Sequence, residues 1–315
     1  MIKCSLGYMI KSRPCLARIS QRAIPLLALL VLPFSRAFGS EATAVEIPST
    51  TRSAAAPDKW QYNLFNPTPS KLLRELSTDR PDKTESPYTV DAGHFQLEMD
   101  FANFTADDAS RVRRCGFNIA PINLKVGLLN NVDLQLAFAS YLHERVRDSR
   151  ARTTETAEGI GDTTVRLKVN LWGNEGGPTA FGLLPFLKIP TNTNGLGNDA
   201  VEGGVIFPLV IALPGKFNLG VQTEVDFLRN DGNRGYHSEF VNSITVGHDL
   251  VGKLGGYVEF FSAVSTERGA DWVSTLDAGL TYGLTENIQL DGGCNFGVTE
   301  SADDFNPFVG ITVRF

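Results

Sequence analysis

The chain has 315 residues, 42% of them hydrophobic, with 29 basic and 35 acidic residues for a net charge of −6. No stretch approaches the roughly 20 consecutive apolar residues of a spanning helix, which excludes a helical membrane protein. The mild average still admits an ordinary soluble protein or a transmembrane β-barrel, because a barrel strand shows lipid only at every second residue.

Residues 1–39 hold six Lys or Arg and no acid, and include the run AIPLLALLVLPF, too short and too interrupted by Pro to span a bilayer. With the small residues of RAFGSEA following, this reads as a secretory signal cleaved after Gly39. Its removal leaves 23 basic and 35 acidic residues, a net charge of −12 that argues against nucleic acid as a partner. Cys4 and Cys15 leave with it, and Cys15 precedes the apolar run, so it is no lipid-bearing cysteine. A disulfide between Cys115 and Cys294 is permitted in the exported compartment, but the first falls in an expected loop and the second in mid-strand on the lipid face. Pairing is not expected.

Residues 40–92 are rich in Pro, Ser and Thr, with one short helical pattern at SKLLREL, and read as a periplasmic extension. Within it, TDRPDKTESPYTV carries Pro81, Pro87 and charges of both signs, which suit an ordered, non-helical approach to the first strand. Two readings stand: a gate or plug packing into a lumen, or a tether folded under the barrel rim. The tether is the simpler.

From Gly93 the sequence alternates with a period of two between turn residues. GHFQLEMDFANF sets Phe95, Leu97, Met99 and Phe101 on one face and Gln96, Glu98 and Asp100 on the other. INLKVGLL and VDLQLAFASYL meet at Asn130 and Asn131, a two-residue hairpin signal, with Lys125, Asp133 and Gln135 on the polar face. TTVRLKVNLW alternates Val165, Leu167, Val169 and Leu171 against Arg166, Lys168 and Asn170. AFGLLPFLKIP, with Lys188, and GGVIFPLVIAL contain Pro185 and Pro208, which cost ladder hydrogen bonds. KFNLGVQTEVDFL carries Glu224 and Asp226, and SEFVNSITVGH follows. LGGYVEFFSAV contributes Glu259, WVSTLDAGLTYG Asp277, and NIQLDGGCNFGV Asp291. The last strand, NPFVGITVRF, has Arg314 on its polar face, Phe308 as the one exception to its alternation, and a terminal Phe315 of the kind read by the barrel-assembly machinery.

That makes twelve strands: an all-β fold, a transmembrane antiparallel up-and-down barrel over residues 93–315 with outer-membrane lipid around it. Longer outer connections are expected near residues 105–116, 143–159, 191–202, 229–237, 265–271 and 299–304, and shorter inner ones at Asn130, 173–179, Pro214, 249–253 and Thr285. Strands of about 11 residues, tilted about 40°, project to roughly the 25 Å apolar band. A soluble sandwich alternates in the same way but hides its apolar face, and leaves the leader, the terminal Phe and the loop alternation unexplained.

The expected lumen face holds acids Glu98, Asp100, Asp133, Glu224, Asp226, Glu259, Asp277 and Asp291 and bases Lys125, Arg166, Lys168, Lys188 and Arg314. Bases gather on the second, fourth and fifth strands and acids on the first, seventh, ninth, tenth and eleventh, with Asp133 and Arg314 as exceptions. An open pore of this kind prefers cations.

STDRPDKTESPYTVDAGHFQLEMD, with GIGDTTVRLKVNL and LKIPTNT further on, resembles a family of outer-membrane proteins named for a MetA pathway of phenol degradation, over roughly Asn63 to Phe315. The resemblance implies a barrel of the kind often labelled a transporter, and implies no catalytic residues.

No catalytic or metal constellation emerges from the residues themselves. His94, His143, His237 and His248 are scattered, and His237 directly precedes Ser238, which puts the two side chains on opposite faces rather than in a nucleophile–base pair. No HExxH, CxxC pair or phosphate loop occurs, so neither metal nor cofactor is expected. The sequence therefore points to a bacterial outer-membrane channel or transporter for passive passage of small solutes, hydrophobic or aromatic compounds among the candidates. The alternative is a non-conducting structural or binding barrel closed by side chains and the N-terminal segment.

Overall fold

The computed structural model describes residues 58–109, 111–231 and 235–315. The expected leader, residues 1–39, and the first part of the extension lie outside the described residues. Thirteen hydrogen-bonded strands follow one another: β1 Phe95–Ala109, β2 Val112–Leu129, β3 Val132–Asp148, β4 Thr153–Gly159, β5 Thr163–Trp172, β6 Thr179–Ile189, β7 Glu202–Leu213, β8 Phe217–Arg229, β9 Tyr236–Val251, β10 Leu254–Ser265, β11 Val273–Thr285, β12 Ile288–Gly297 and β13 Phe305–Arg314. Each pairs antiparallel with its neighbours. β3 pairs with β4 over 142–148 and with β5 over 132–138, so β4 and β5 are two lengths of one stave. β1 pairs with β13, from Gln96↔Arg314 to Ala106↔Phe305, and the ring closes at twelve staves.

Closure gives backbone N–H and C=O groups along each stave partners within the sheet, the condition for crossing a bilayer with strands. The alternation then sorts side chains in the reverse of a soluble core. On β8, Gln222, Glu224 and Asp226 are buried while Phe227 is exposed; on β5, Arg166, Lys168 and Asn170 are buried while Leu167 and Leu171 are exposed. Val258, Leu276, Leu280 and Val309 are exposed on the staves that follow. Such an exterior suits lipid, and an even number of staves is the bacterial pattern. The protein is a bacterial outer-membrane β-barrel.

Two expectations about length are corrected. β1, β2 and β3 run 15, 18 and 17 residues, so the connections expected at 105–116 and 143–159 shrink to 110–111 and 149–152, and β4 replaces part of the second. At about 3.3 Å per residue, such strands outrun a 25 Å apolar band even when tilted. There the period-two signal lapses: β4 is exposed or half-buried throughout. Cys115 consequently lies in β2 rather than a loop; it and Cys294, on β12, are free and half-buried.

Pro185 and Pro208 do sit inside β6 and β7, and the pairing between these staves lapses between Phe181↔Leu209 and Leu184↔Ile206, with the register kept. Before β1, the helical pattern SKLLREL is reduced to one 3-10 turn, Ser70–Leu72. The approach ends at Gly93, whose φ of +76° and whose spacing to Pro67, 2.7 Å from where a Cβ would stand, both require glycine.

Candidate functional site

The thirteen charged positions singled out in the sequence are placed as follows. Glu98 and Asp100 on β1, Lys125 on β2, Asp133 on β3, Arg166 and Lys168 on β5, Glu224 and Asp226 on β8, Glu259 on β10, Asp277 on β11, Asp291 on β12 and Arg314 on β13 are all buried. The side chain of Lys188 on β6 is 12% exposed, its Nζ 2.7 Å from Glu202 of β7. Burial of so many charges requires partners, and most of those partners come from residues 78–91.

This segment is a strap lying among the inward side chains of the staves, so the tether reading gives way to the plug. Its charges meet opposite charges on the wall. Asp79 receives Lys168 Nζ at 2.6 and 2.7 Å and Lys125 Nζ at 2.5 Å, while its backbone N–H donates to Glu98. Glu85 pairs with Arg166 at 2.5 Å. On the acidic side, Arg80 donates Nε and Nη2 to the two oxygens of Asp291, at 3.2 and 2.6 Å, and Nη2 also lies 2.5 Å from Asp100. Lys83 Nζ lies 2.7 Å from Thr275 Oγ1 and 3.0 Å from Asp277. The backbone N–H groups of Lys83 and Thr84 both donate to the Glu259 carboxylate, at 2.8 and 2.7 Å.

Beyond these, the Glu85 N–H donates to Gln222, Asn170 Nδ2 to the Pro87 carbonyl and the Val90 N–H to Asp133. The strap thus bonds staves on opposite sides of the ring, β5 and β11 being six apart in it. Where it runs closest, the wall has no side chain: a Cβ at Gly127 would stand 2.1 Å from the Asp91 carbonyl oxygen, and one at Gly310 would stand 2.1 Å from Arg80 Nη2. Phe308, the apolar exception on the terminal strand, is buried with the Arg80 guanidinium 5.9 Å from its ring centre.

A second network holds the approach at the end where Phe95 and Phe315 meet. Lys59 and Arg74 both reach Glu175 at 2.7 Å, Arg74 N–H donates to Asp91 at 3.0 Å, and Arg314 Nη1 donates to the Arg74 carbonyl at 2.7 Å. Phe315 itself is 69% exposed, and its N–H donates to the Phe95 carbonyl at 2.8 Å.

Asp79 and Asp82 of the strap titrate in opposite senses. Burial works against charge on Asp79, yet Lys125, Lys168 and Arg166 hold its carboxyl well below the usual range. Burial and then the Glu259 carboxylate push Asp82 well above it, against a hydrogen bond from Thr245. Sequence reasoning missed the strap's own charges as site residues, and with them Glu202 and Asp107, which are buried. The signal was present in the alternating signs of TDRPDKTE set against a wall of segregated charge. The histidines stay apart from this site: His237 Nδ1 meets Asn230 at 2.9 Å, and His248 stacks on Phe217.

A family model described as "Putative MetA-pathway of phenol degradation" matches residues 78–315, starting at the strap. Among solved structures, an outer membrane channel from Pseudomonas putida F1 is similar at TM-score 0.56 and 12% identity, with 76% of this chain and 100% of that one covered. The NanC porin is similar at TM-score 0.44 and 11% identity, covering 70% of this chain and 98% of that one. At these identities the likeness is one of fold. No curated protein matches the chain.

Proposed function

The chain belongs to the family described as a putative MetA-pathway of phenol degradation, and from this premise we propose that it is an outer-membrane channel for passive passage of small solutes, closed by the strap of residues 78–91. The observation that carries this reading is the chemistry of the closure. The strap is held by ion pairs and hydrogen bonds to a polar wall, which water can replace, and not by an apolar core, which it cannot. Eight-stave barrels are filled by their own side chains; a twelve-stave ring has room for a chain segment, and a lumen remains when that segment leaves.

The excess of acid on the wall supports a preference for cations, weakening as salt screens it. Tyr257, Phe261 and Phe308, buried on the inner face of the acidic side, support admission of solutes with an aromatic or hydrophobic part, in keeping with the phenol of the family's description. The wall is built for binding and passage rather than bond making, so we assign no reaction to it. Phe315, exposed at the seam of the barrel, is assigned to recognition by the assembly machinery.

The competing reading is a barrel that never opens, favoured by the absence of exposure at Asp133 and Lys168. Planar-bilayer recording of the refolded chain separates the two. Wild type should conduct weakly or in brief openings, and Asp79→Ala, which takes the carboxylate from Lys168 and one of two from Lys125, should conduct steadily. A folded Asp79→Ala barrel without conductance would establish the closed reading.

A further inference from the structure

The strap's two cations are seated as ligands would be. Arg80 presents the fork of its guanidinium to both oxygens of Asp291 and lies over the Phe308 ring. Lys83 places its ammonium between Asp277 and Thr275, 4.6 Å from the centre of the Phe261 ring. A carboxylate paired with an aromatic face is a recurrent way to bind an organic cation, since the ring quadrupole adds attraction without adding charge. The wall repeats it at two neighbouring places, on β10 to β13.

The same wall keeps polar capacity that the strap does not use. Asp277 is 3% exposed, and its Oδ1 has no hydrogen-bond partner among the described residues; the same holds for Asn295 Oδ1, at 5% exposure, and for the Tyr257 hydroxyl, at 9%. The Tyr257 hydroxyl lies 3.0 Å from where a Cβ on Gly293 would stand. It therefore points at the inward gap between Asp291 and Asn295, which flank Gly293 on one face of β12. Buried polar atoms left unpaired cost free energy, and donors from a bound solute would satisfy the acceptors among them.

From this we infer that the acidic, aromatic wall of β10 to β13 is a binding site for organic cations bearing guanidinium or primary ammonium groups, and that Arg80 and Lys83 occupy it as built-in substitutes for such a solute. The inference rests on the channel reading for its physiological setting, but the site itself is a matter of binding and is tested as such.

The probe is agmatine, which carries a guanidinium and a primary ammonium on one chain, with butylurea as its neutral counterpart. Calorimetric titration is made on the full chain in detergent with Arg80→Ala and Lys83→Ala together, folding being checked by heat-modifiable migration. Agmatine should bind saturably and at least tenfold more tightly than to wild type, where the strap's cations compete. Adding Asp277→Asn and Asp291→Asn should weaken it at least tenfold, and butylurea should not bind. If the double variant does not fold, Lys83→Ala alone with methylammonium tests the ammonium position by the same criteria. Absence of saturable binding, equal binding of butylurea, or indifference to the two Asp→Asn changes would overturn the site. Binding without conductance in the double variant would refute the channel and leave the site standing; conductance without binding would do the reverse.

Discussion

The two halves of the inner wall hold the same strap by different means. On the basic half, Asp79 takes two lysine ammonium groups at 2.5 to 2.7 Å, and Lys168 and Asp133 have no exposed surface. On the acidic half, contacts are shared with aromatic rings. A carboxylate with both oxygens held by ammonium groups tolerates one geometry, whereas the broad face of a ring accommodates several. The basic half is therefore the anchor and the acidic half the exchangeable side.

The harshest test of that contrast is Asp79→Ala. Removing one partner of a buried ion cluster costs about 3 to 5 kcal/mol, so hydrogen exchange of the strap amides at Lys83, Thr84, Glu85 and Val90 should accelerate by about two orders of magnitude or more. Unchanged protection would mean that the basic half is not the anchor. Next comes a pair of neighbours on β5 that separates the wall from the lipid. Leu167→Arg, on the exposed face, should cost about 2 to 4 kcal/mol near the bilayer midplane and lower membrane yield. Lys168→Leu should assemble and loosen only the strap.

Lys83→Ala should cost less, about 1.5 to 3 kcal/mol for the loss of charged hydrogen bonds, because the backbone bonds to Glu259 survive it. If it loosens the strap as much as Asp79→Ala does, the two halves are equivalent and the contrast fails. Smaller again is the effect of pH. Seating raises the Asp82 carboxyl, through burial and the Glu259 carboxylate, and so favours its protonated form. That contribution is complete below the ordinary carboxylate range and is lost as pH rises through the raised value. Seating depresses Asp79, whose contribution is present above the ordinary range and lost only as pH falls through its lowered value. Between those limits the strap should loosen, and conductance rise, as pH increases, and Asp82→Asn should flatten the dependence. Asp231→Asn, far from either half, should change neither assembly nor conductance.

The barrel was legible because lipid on one side and polar contacts on the other impose a period of two that each stave must repeat. Legibility ended where that constraint ends. β4 buries none of its residues fully and carries no apolar period, so nothing in TTETAEG marks it as strand. The strap has no period at all, since it is paired by charge with staves scattered from Glu98 to Asp291, and those become neighbours only when the ring closes. Phe308 shows the limit within a single strand. As an apolar residue on a polar face it broke the pattern, and the reason, a guanidinium brought from Arg80, lay more than 200 residues away in sequence.

Only Ala92, Gly93 and His94 separate the strap from β1, so the occupant of the wall is covalently tethered to it. A ligand on a short tether competes at an effective concentration in the millimolar range, whatever the amount of protein in the membrane. A free solute of equal intrinsic affinity displaces it only when abundant on that scale, and a dilute one must bind correspondingly better. The length and stiffness of the chain between Asp91 and Phe95 thus set a threshold on solute concentration, and lengthening that linker should lower the threshold without altering one contact in the wall.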